Sequence, residues 1–307
     1  MSVRHRSLLA VILSVSARVV ASDQTQEGDD LNSEVWQGLM SSFALPWAEL
    51  LSTNEGSEGN ALSARVAFDY PLKGGTAATS GSGSQGSGSG SSTAQLALRY
   101  SPLSYWFGSA TAFGYLQSQY RATWSPDFSY SFGYDDWHPY TLSLVYSNGG
   151  GNRFHADRAT GERHTRFEQG GWSLGYKFPL RGWARDVFTT GHGDLAGCIT
   201  AFNYTARYSD LASGSVRADK KSFSMGCRYS LRNWLYATAA LYYYPEQGHQ
   251  QPWDPDFTYG FGYFNWRPGT VSIQYNNFAG NRAPWRRSGG ATRFSEGSVS
   301  VSWSMRW

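Results

Sequence analysis

Apolar and polar residues alternate along most of this chain with a period of two. Phe128, Tyr130, Phe132 and Tyr134 are separated by Ser129, Ser131 and Gly133, and Phe257, Tyr259, Phe261 and Tyr263 by Thr258, Gly260 and Gly262. Successive side chains of an extended chain point to opposite faces, so each stretch reads as a strand with one greasy and one thin face. The pattern predicts strands over Leu62–Tyr70, Ala94–Tyr100, Tyr105–Tyr115, Phe128–Trp137, Thr141–Ser147 and Gly171–Leu180. A second set follows over Cys198–Tyr208, Phe223–Tyr229, Trp234–Tyr244, Phe257–Trp266, Thr270–Asn276 and Gly297–Trp307. The fold class is therefore all-β, an antiparallel up-and-down transmembrane β-barrel of about 12 strands, an even number as such a barrel requires.

A different period rules residues 31–52. Leu31, Val35, Leu39, Phe43, Trp47, Leu50 and Leu51 fall at helical spacing, with Pro46 as a kink or break. This predicts a short amphipathic helix, either packed on the body of the protein or acting as a plug or docking element.

The chain also repeats itself. Trp124–Arg153 (WSPDFSYSFGYDDWHPYTLSLVYSNGGGNR) returns without a gap as Trp253–Arg282 (WDPDFTYGFGYFNWRPGTVSIQYNNFAGNR), displaced by 129 positions. The barrel, residues 61–307, thus divides into two tandem repeats, about 61–180 and 197–307.

Loop lengths give an independent test, since outer-membrane barrels pair short periplasmic turns with long outer loops. Tyr100 to Tyr105, Trp137 to Thr141, Tyr229 to Trp234 and Trp266 to Thr270 are short and fall on one side. Loops 71–93, 116–127, 148–170, 209–222, 245–256 and 277–296 fall on the other. Residues 181–197, which join the halves, are long for an inner turn. At the C-terminus Val299, Val301, Trp303, Met305 and Trp307 alternate with Ser298, Ser300, Ser302, Ser304 and Arg306, ending the chain on an aromatic residue. This resembles the terminal strand of Gram-negative outer-membrane β-barrels, in which a final aromatic residue is the signal read by the insertion machinery. The resemblance implies an outer-membrane location, with membrane lipid and that machinery as partners. A periplasmic β-sandwich shares the alternation but not the loop rhythm.

Composition agrees: mean hydropathy is −0.46 despite 13 Trp, 20 Tyr and 17 Phe. A packed soluble core draws more on Leu, Ile and Val, whereas a barrel needs only alternate residues apolar and places aromatic girdles at both interfaces. Charge separates the N-terminal segments. Residues 1–21 carry Arg4, Arg6 and Arg18, an apolar run from Leu8 to Val15 and small residues ending at Ala21, which reads as a secretory signal peptide. Residues 22–60 hold eight acids and no Lys or Arg, an acidic periplasmic leader, and from Ala61 onward 23 bases face 15 acids. The Gly/Ser tract after Tyr70, residues 79–92 above all, reads as an idle outer loop that can bury nothing.

Candidate chemistry falls into three groups. On the thin face, Arg65, Arg99, Lys177, Arg207, Arg228 and Arg306 are opposed in the predicted strands by Asp69 alone, and a ring of bases favours anions. Five of the six, all but Arg207, are expected at the periplasmic mouth, where the acidic leader emerges. At the outer rim each half offers Trp-x-Pro-Asp (Trp124, Asp127; Trp253, Asp256) and Asn-x-x-Gly-Asn-Arg (Asn148, Asn152, Arg153; Asn277, Asn281, Arg282). These read either as turn architecture or as a ligand-binding rim, where Trp stacks on sugar rings and Asp, Asn and Arg bind hydroxyls or acid groups. Cys198 and Cys227, near the inner ends of consecutive strands, form either a cross-strand disulfide or two separate apolar thiols.

No cofactor or metal is expected: His138, His155, His164, His192 and His249 are scattered in turns and loops without ligand spacing. Ser147-Asn148-Gly149 looks like the tail of the His-x-Ser-Asn-Gly run of outer-membrane phospholipase A. Val145 stands where the base would be, so the expectation is not an enzyme. The reading is a narrow channel or export port, for a saccharide or anionic solute and not a nucleic acid. A closed structural or adhesive barrel or a secretion-system accessory protein is the rival, and a phospholipase-like enzyme a more distant one.

Overall fold

The computed structural model describes residues 61–73, 90–121, 125–136, 138–149, 152–155, 167–180, 195–209, 216–231, 235–251, 254–264, 269–277, 281–283 and 293–306. The signal peptide, the leader and helix 31–52 lie outside the described residues, as do Trp124, Trp137, Trp253, Trp266 and Trp307. The strands are β1 (Ala61–Pro71), β2 (Thr93–Leu103), β3 (Trp106–Tyr115), β4 (Phe128–Asp135), β5 (Leu142–Asn148), β6 (Gly171–Pro179), β7 (Leu195–Ser209), β8 (Val216–Leu231), β9 (Leu235–Tyr243), β10 (Phe257–Tyr263), β11 (Val271–Asn277) and β12 (Ser298–Arg306). Each pairs antiparallel with its chain neighbours, and β1 pairs with β12 from Ser63↔Arg306 to Pro71↔Ser298, closing the sheet into a barrel.

Alternation in the sequence becomes two surfaces. Leu62, Val66, Phe68, Leu96, Leu98, Val271, Ile273, Val301 and Trp303 are exposed on the outside. Their neighbours Arg65, Ala67, Ala97, Arg99, Ser272, Gln274, Ser300 and Ser302 are buried on the inside. A water-soluble protein does not leave this much apolar surface wet, and a closed ring of strands leaves no unsatisfied edge in lipid. The end holding the start of β1, the end of β12 and the short connections is the periplasmic end. An outward hollow of about 550 Å³ between β5 and β9, lined by Leu174, Tyr176, Phe202, Phe223, Met225 and Leu241, faces lipid, not solute.

The same contacts recur 129 or 127 residues apart. Tyr140 and Gly269 both adopt positive φ at an inner turn and donate a 2.7 Å hydrogen bond, to the carbonyls of Lys177 and Ser304 respectively. A Cβ on Gly133 would meet the Leu144 carbonyl oxygen at 2.1 Å, and one on Gly262 the Ile273 carbonyl oxygen at 2.3 Å. Both strands therefore need glycine for close backbone approach.

β7 and β8 rise above the rim of the first half, and β8 begins well before its predicted start at Phe223. β7 and β8 have 15 and 16 residues, and their pairing continues beyond Asn203↔Ser222 to Ser209↔Val216. The matching hairpin of the first half stops at Asp69↔Thr93. Arg217, Asp219, Lys220 and Lys221 hid this extension from a search for apolar alternation, because above the lipid nothing requires greasy residues. Near its inner end Cys198 faces Cys227 across the same hairpin, their Cα atoms 4.1 Å apart and the sulfurs joined as a disulfide. The pair lies on the outward, lipid-facing parity.

The Gly/Ser tract is not idle to its end. Ser91 and Ser92 are buried; Ser92 N–H donates to Gln117 Oε1 (2.8 Å), Gln117 N–H to Ser91 Oγ (3.0 Å) and Leu116 N–H to the Ser92 carbonyl (3.0 Å). This corrects the expectation that 79–92 is dispensable throughout, because the last residues pin one outer loop to the next.

Deleting 76–89 should leave the heat-modifiable folded band on a semi-native gel unchanged, whereas extending the deletion through Ser92 should lower its melting midpoint. Equal midpoints would show that the Ser91–Ser92 clasp is inert. Replacing Cys198 and Cys227 together by Ser removes a covalent closure across 29 residues, a loss of roughly 3.6 kcal/mol in the chain-entropy account. The urea midpoint for loss of the folded band should fall; no shift would mean the disulfide only decorates a hairpin that pairing already fixes.

Candidate functional site

The lumen wall is thin. Between the strands' inner and outer ends it is lined by Ser109, Thr111, Ser129, Ser131, Ser143, Gly175, Gly226, Thr258, Gly260, Ser272, Ser300 and Ser302. Gln95, Phe113, Asn203 and Gln274 stand on the same inward parity, and the basic side chains gather at the periplasmic end. Arg99 and Arg306 each pair across from Ser63, and Arg65 from Ala97; Arg228 lies opposite Gly197 and Lys177 opposite Ile199. The guanidinium of Arg99 stacks 3.8 Å from the Phe107 ring, and that of Arg228 stacks 3.8 Å from Tyr236 and 5.2 Å from Phe264. Stacking on a ring face satisfies part of a buried cation's electrostatic demand and fixes its orientation.

The structure corrects the charge count in one place. Asp135, at the inner end of β4, also faces the lumen and pairs with Lys177 Nζ, which donates a second bond to the Asp136 carbonyl at 2.8 Å. The strand prediction had placed Asp69 alone opposite the six bases. Asp69 itself is in the outer half of β1, where Gln95 donates to it. In the second half Phe264 stands 129 residues after Asp135, so the acid has no counterpart there. Arg65 Nη2 donates to Ser302 Oγ at 2.7 Å, and Arg207 sits exposed at the outer rim, 2.9 Å from Glu168.

Outer-rim motifs are brought together by two loops that interlock. In the first half the Asp127 N–H donates to the Asn152 carbonyl (2.7 Å), and Asp127 Oδ2 accepts from the Phe154 N–H (3.0 Å). Arg121 Nη2 lies 2.5 Å from Asp127 Oδ1, and Arg121 and Arg153 both donate to the Ser125 carbonyl. In the second half the Asp256 N–H donates to the Asn281 carbonyl (2.7 Å), and Asp256 Oδ2 accepts from the Ala283 N–H (2.9 Å). Arg282 donates to the Gln251 and Asp254 carbonyls. Burial and the charge of Asp254 hold the nearby Tyr244 hydroxyl well above its ordinary pKa, so it stays protonated.

The asparagines complete each latch. Asn152 Nδ2 donates to Asn148 Oδ1 (3.2 Å) and Asn281 Nδ2 to the Asn277 carbonyl (3.1 Å). Asn148 and Asn277 in turn donate to the hydroxyls of Tyr146 (3.1 Å) and Tyr275 (3.2 Å). Those tyrosines stack on Phe167 and Phe294, with ring centroids 4.3 and 4.2 Å apart, and their hydroxyls donate to the carbonyls of the same two residues. A Cβ on Gly170 or Gly297 would run into these hydroxyls. The rim's Asp, Asn and Arg side chains therefore direct their hydrogen bonds at loop backbone and at one another. Sequence spacing singled out these residues, and only the three-dimensional pairing of loops shows what they hold.

Among the described residues no group of His, Cys, Asp and Glu is arranged to hold a metal ion. His138 Nδ1 lies 2.6 Å from Asp136 Oδ1 and its ring meets Tyr105 edge-on, while His249 lies 3.3 Å from Glu246. Both histidines are tied into turns. Ser147 faces the lumen opposite Ser131 and Gly171, with Val145 two residues before it.

A closed ring of twelve antiparallel strands, apolar outside and polar inside, with short turns on the side of its termini, defines an outer-membrane β-barrel. The chain belongs in the outer membrane of a Gram-negative cell. No protein-family profile matches the chain, and no curated protein matches it. Among solved structures it is similar to the NanC porin, with a TM-score of 0.38 and 10% identity over 80% of this chain and 98% of that one. An outer-membrane channel from Pseudomonas putida F1 gives a TM-score of 0.39 and 9% identity over 83% and 98%. Salmonella typhi OmpF, solved with daunomycin, gives 0.34 and 10% over 81% and 98%. At such scores the class rests on the geometry of the barrel and not on these likenesses.

Replacing Asp256 by Ala removes the acceptor of the Ala283 N–H and of Gln250, which donates to it at 2.8 Å. Losing bonds to a charged acceptor costs roughly 1.5–3 kcal/mol locally, so the outer loop should open and become cleavable at Arg282 by trypsin added to whole cells. Trypsin resistance equal to the parent's would show that the latch does not hold the loop.

Proposed function

We propose that the protein is a narrow channel or export port that lets anionic or saccharide solutes cross the outer membrane. The observation that supports this best is the distribution of charge along the lumen: five bases collect at the inner end with Asp135, and the wall beyond them is mostly Ser, Thr, Gly, Asn and Gln. Hydroxyl and amide groups on that wall offer hydrogen bonds in place of a solute's water. A positive excess at one mouth raises the local concentration of anions and repels cations. The two aromatic-stacked arginines, Arg99 and Arg228, hold their charge at fixed positions on the wall, as a selectivity element requires. The saccharide alternative draws on the same hydroxyl lining.

A closed, structural barrel is the second reading. It is favoured by the burial of lumenal residues: Arg65, Arg99, Lys177 and Arg228 are all less than a tenth exposed. Twelve strands also stand between eight-stranded barrels, which are filled, and sixteen-stranded porins, which are open.

Planar-bilayer recording separates the two. A channel gives discrete conductance steps and a reversal potential showing anion preference. A unit charge about 8 Å from a permeating ion in a wet lumen contributes about 0.5 kcal/mol, so neutralising Arg99 and Arg228 to Gln should lower the anion-to-cation permeability ratio about twofold per residue. No steps from either the full chain or a chain lacking residues 22–60 would leave the closed barrel as the function.

A further inference from the structure

The basic end of the lumen lies where the chain enters the barrel. Arg65, Arg99, Lys177, Arg228 and Arg306 collect around the periplasmic ends of β1, β2, β6, β8 and β12, and β1 begins at that end with Ala61.

We propose that the inner half of the lumen is the docking site of the chain's own acidic leader, residues 22–60. Charge supports that occupant. Asp23, Glu27, Asp29, Asp30, Glu34, Glu49, Glu55 and Glu58 bring eight carboxylates without a base. The inner half of the lumen offers Arg65, Arg99, Lys177, Arg228 and Arg306 against Asp135 among the described residues. Reach supports it as well. β1 opens at Ala61 at the periplasmic end, and Ser63 lies between Arg99 and Arg306 in the sheet. Glu58 is five residues before Ser63, a span of at most about 17 Å, so the last acids of the leader cannot leave the neighbourhood of those bases.

Tethering makes each weak contact intramolecular. An ion pair between solvated groups contributes little alone, but a segment anchored at the mouth is present there at millimolar effective concentration, so several such pairs hold it. A helix lying on the membrane surface is the competing placement, and an acidic polar face is poorly suited to anionic lipid. The docking is independent of whether an emptied lumen conducts.

Its test reads occupancy directly. The two native cysteines are joined to each other, so a single cysteine introduced as Ser272→Cys is the one reactive thiol of the folded chain. The probe is a charged, membrane-impermeant maleimide applied to purified full-length protein in detergent, with Leu116→Cys on the exposed outer rim as the control. The leader is compared intact and with its eight acids changed to Asn or Gln. Docking predicts slow labelling at Ser272→Cys with the native leader and about tenfold faster labelling with the neutral one, the control being unchanged. High salt should speed labelling of the native chain part of the way, since screening weakens the ion pairs. Equal rates with the two leaders, or labelling of Ser272→Cys as fast as Leu116→Cys in the native chain, would overturn the proposal. A companion Ala97→Cys variant on β2 repeats the comparison on another part of the wall, should Ser272→Cys fail to fold.

Discussion

Everything in this protein depends on one constraint, that a backbone crossing hydrocarbon must satisfy all of its own hydrogen bonds. Pairing β1 with β12 meets it by leaving no strand edge exposed to lipid. From closure follow the even strand number, the return of both chain ends to the same side and the strict alternation of side chains. Because the outside must be apolar, the inside is free to be thin and polar, and its sparse charges gain weight from having few neighbours. The short inner turns are the tightest points of the ring, where Tyr140 and Gly269 take up positive φ and send their N–H groups to Lys177 and Ser304.

The outer rim solves a different problem. Loops of 20 residues or so above a barrel have no core to bury, yet here both halves use the same device: an aspartate that ties the next loop's backbone, an asparagine pair beneath it, and a tyrosine stacked on a phenylalanine at the lipid side. Aromatic stacks of this kind contribute about 0.5–1.5 kcal/mol each beyond the area they bury, and charged hydrogen bonds somewhat more. Where the first half places a Gly/Ser tract, the second raises β7 and β8 above the symmetric rim, so the two halves share a wall but present different outer surfaces.

Much of this was legible in the sequence, because lipid imposes a pattern on every strand it touches. All twelve strands and the alternation of short and long connections could be read from residue type alone. The six lumenal bases also fall on the inward parity. What escaped has a physical reason in each case. The upper part of β8 stands outside the lipid and carries no apolar alternation. Asp135 lies inside the predicted strand Phe128–Trp137, and its part in the charge balance shows only in its pairing with Lys177 across β5. The rim residues of Trp-x-Pro-Asp and Asn-x-x-Gly-Asn-Arg were visible as a repeated motif, but hydrogen bonds between Asp127 and Phe154, or Asp256 and Ala283, join loops 27 residues apart and leave no trace in local spacing. Ser91 and Ser92 closed a tract whose composition promised nothing.

The central claim is that this chain lies in a membrane with alternate residues facing lipid and lumen. Spin labels placed one at a time at Val271, Ser272, Ile273, Gln274 and Tyr275 on β11 test it most directly, through collision with oxygen, which partitions into lipid, and with a water-soluble nickel chelate. Oxygen accessibility should rise at Val271 and Ile273 and fall at Ser272 and Gln274, a period of two along the strand. Tyr275 should be muted because Phe294 covers it. Uniform oxygen accessibility along β11, or high nickel accessibility at Val271 and Ile273, would contradict the account.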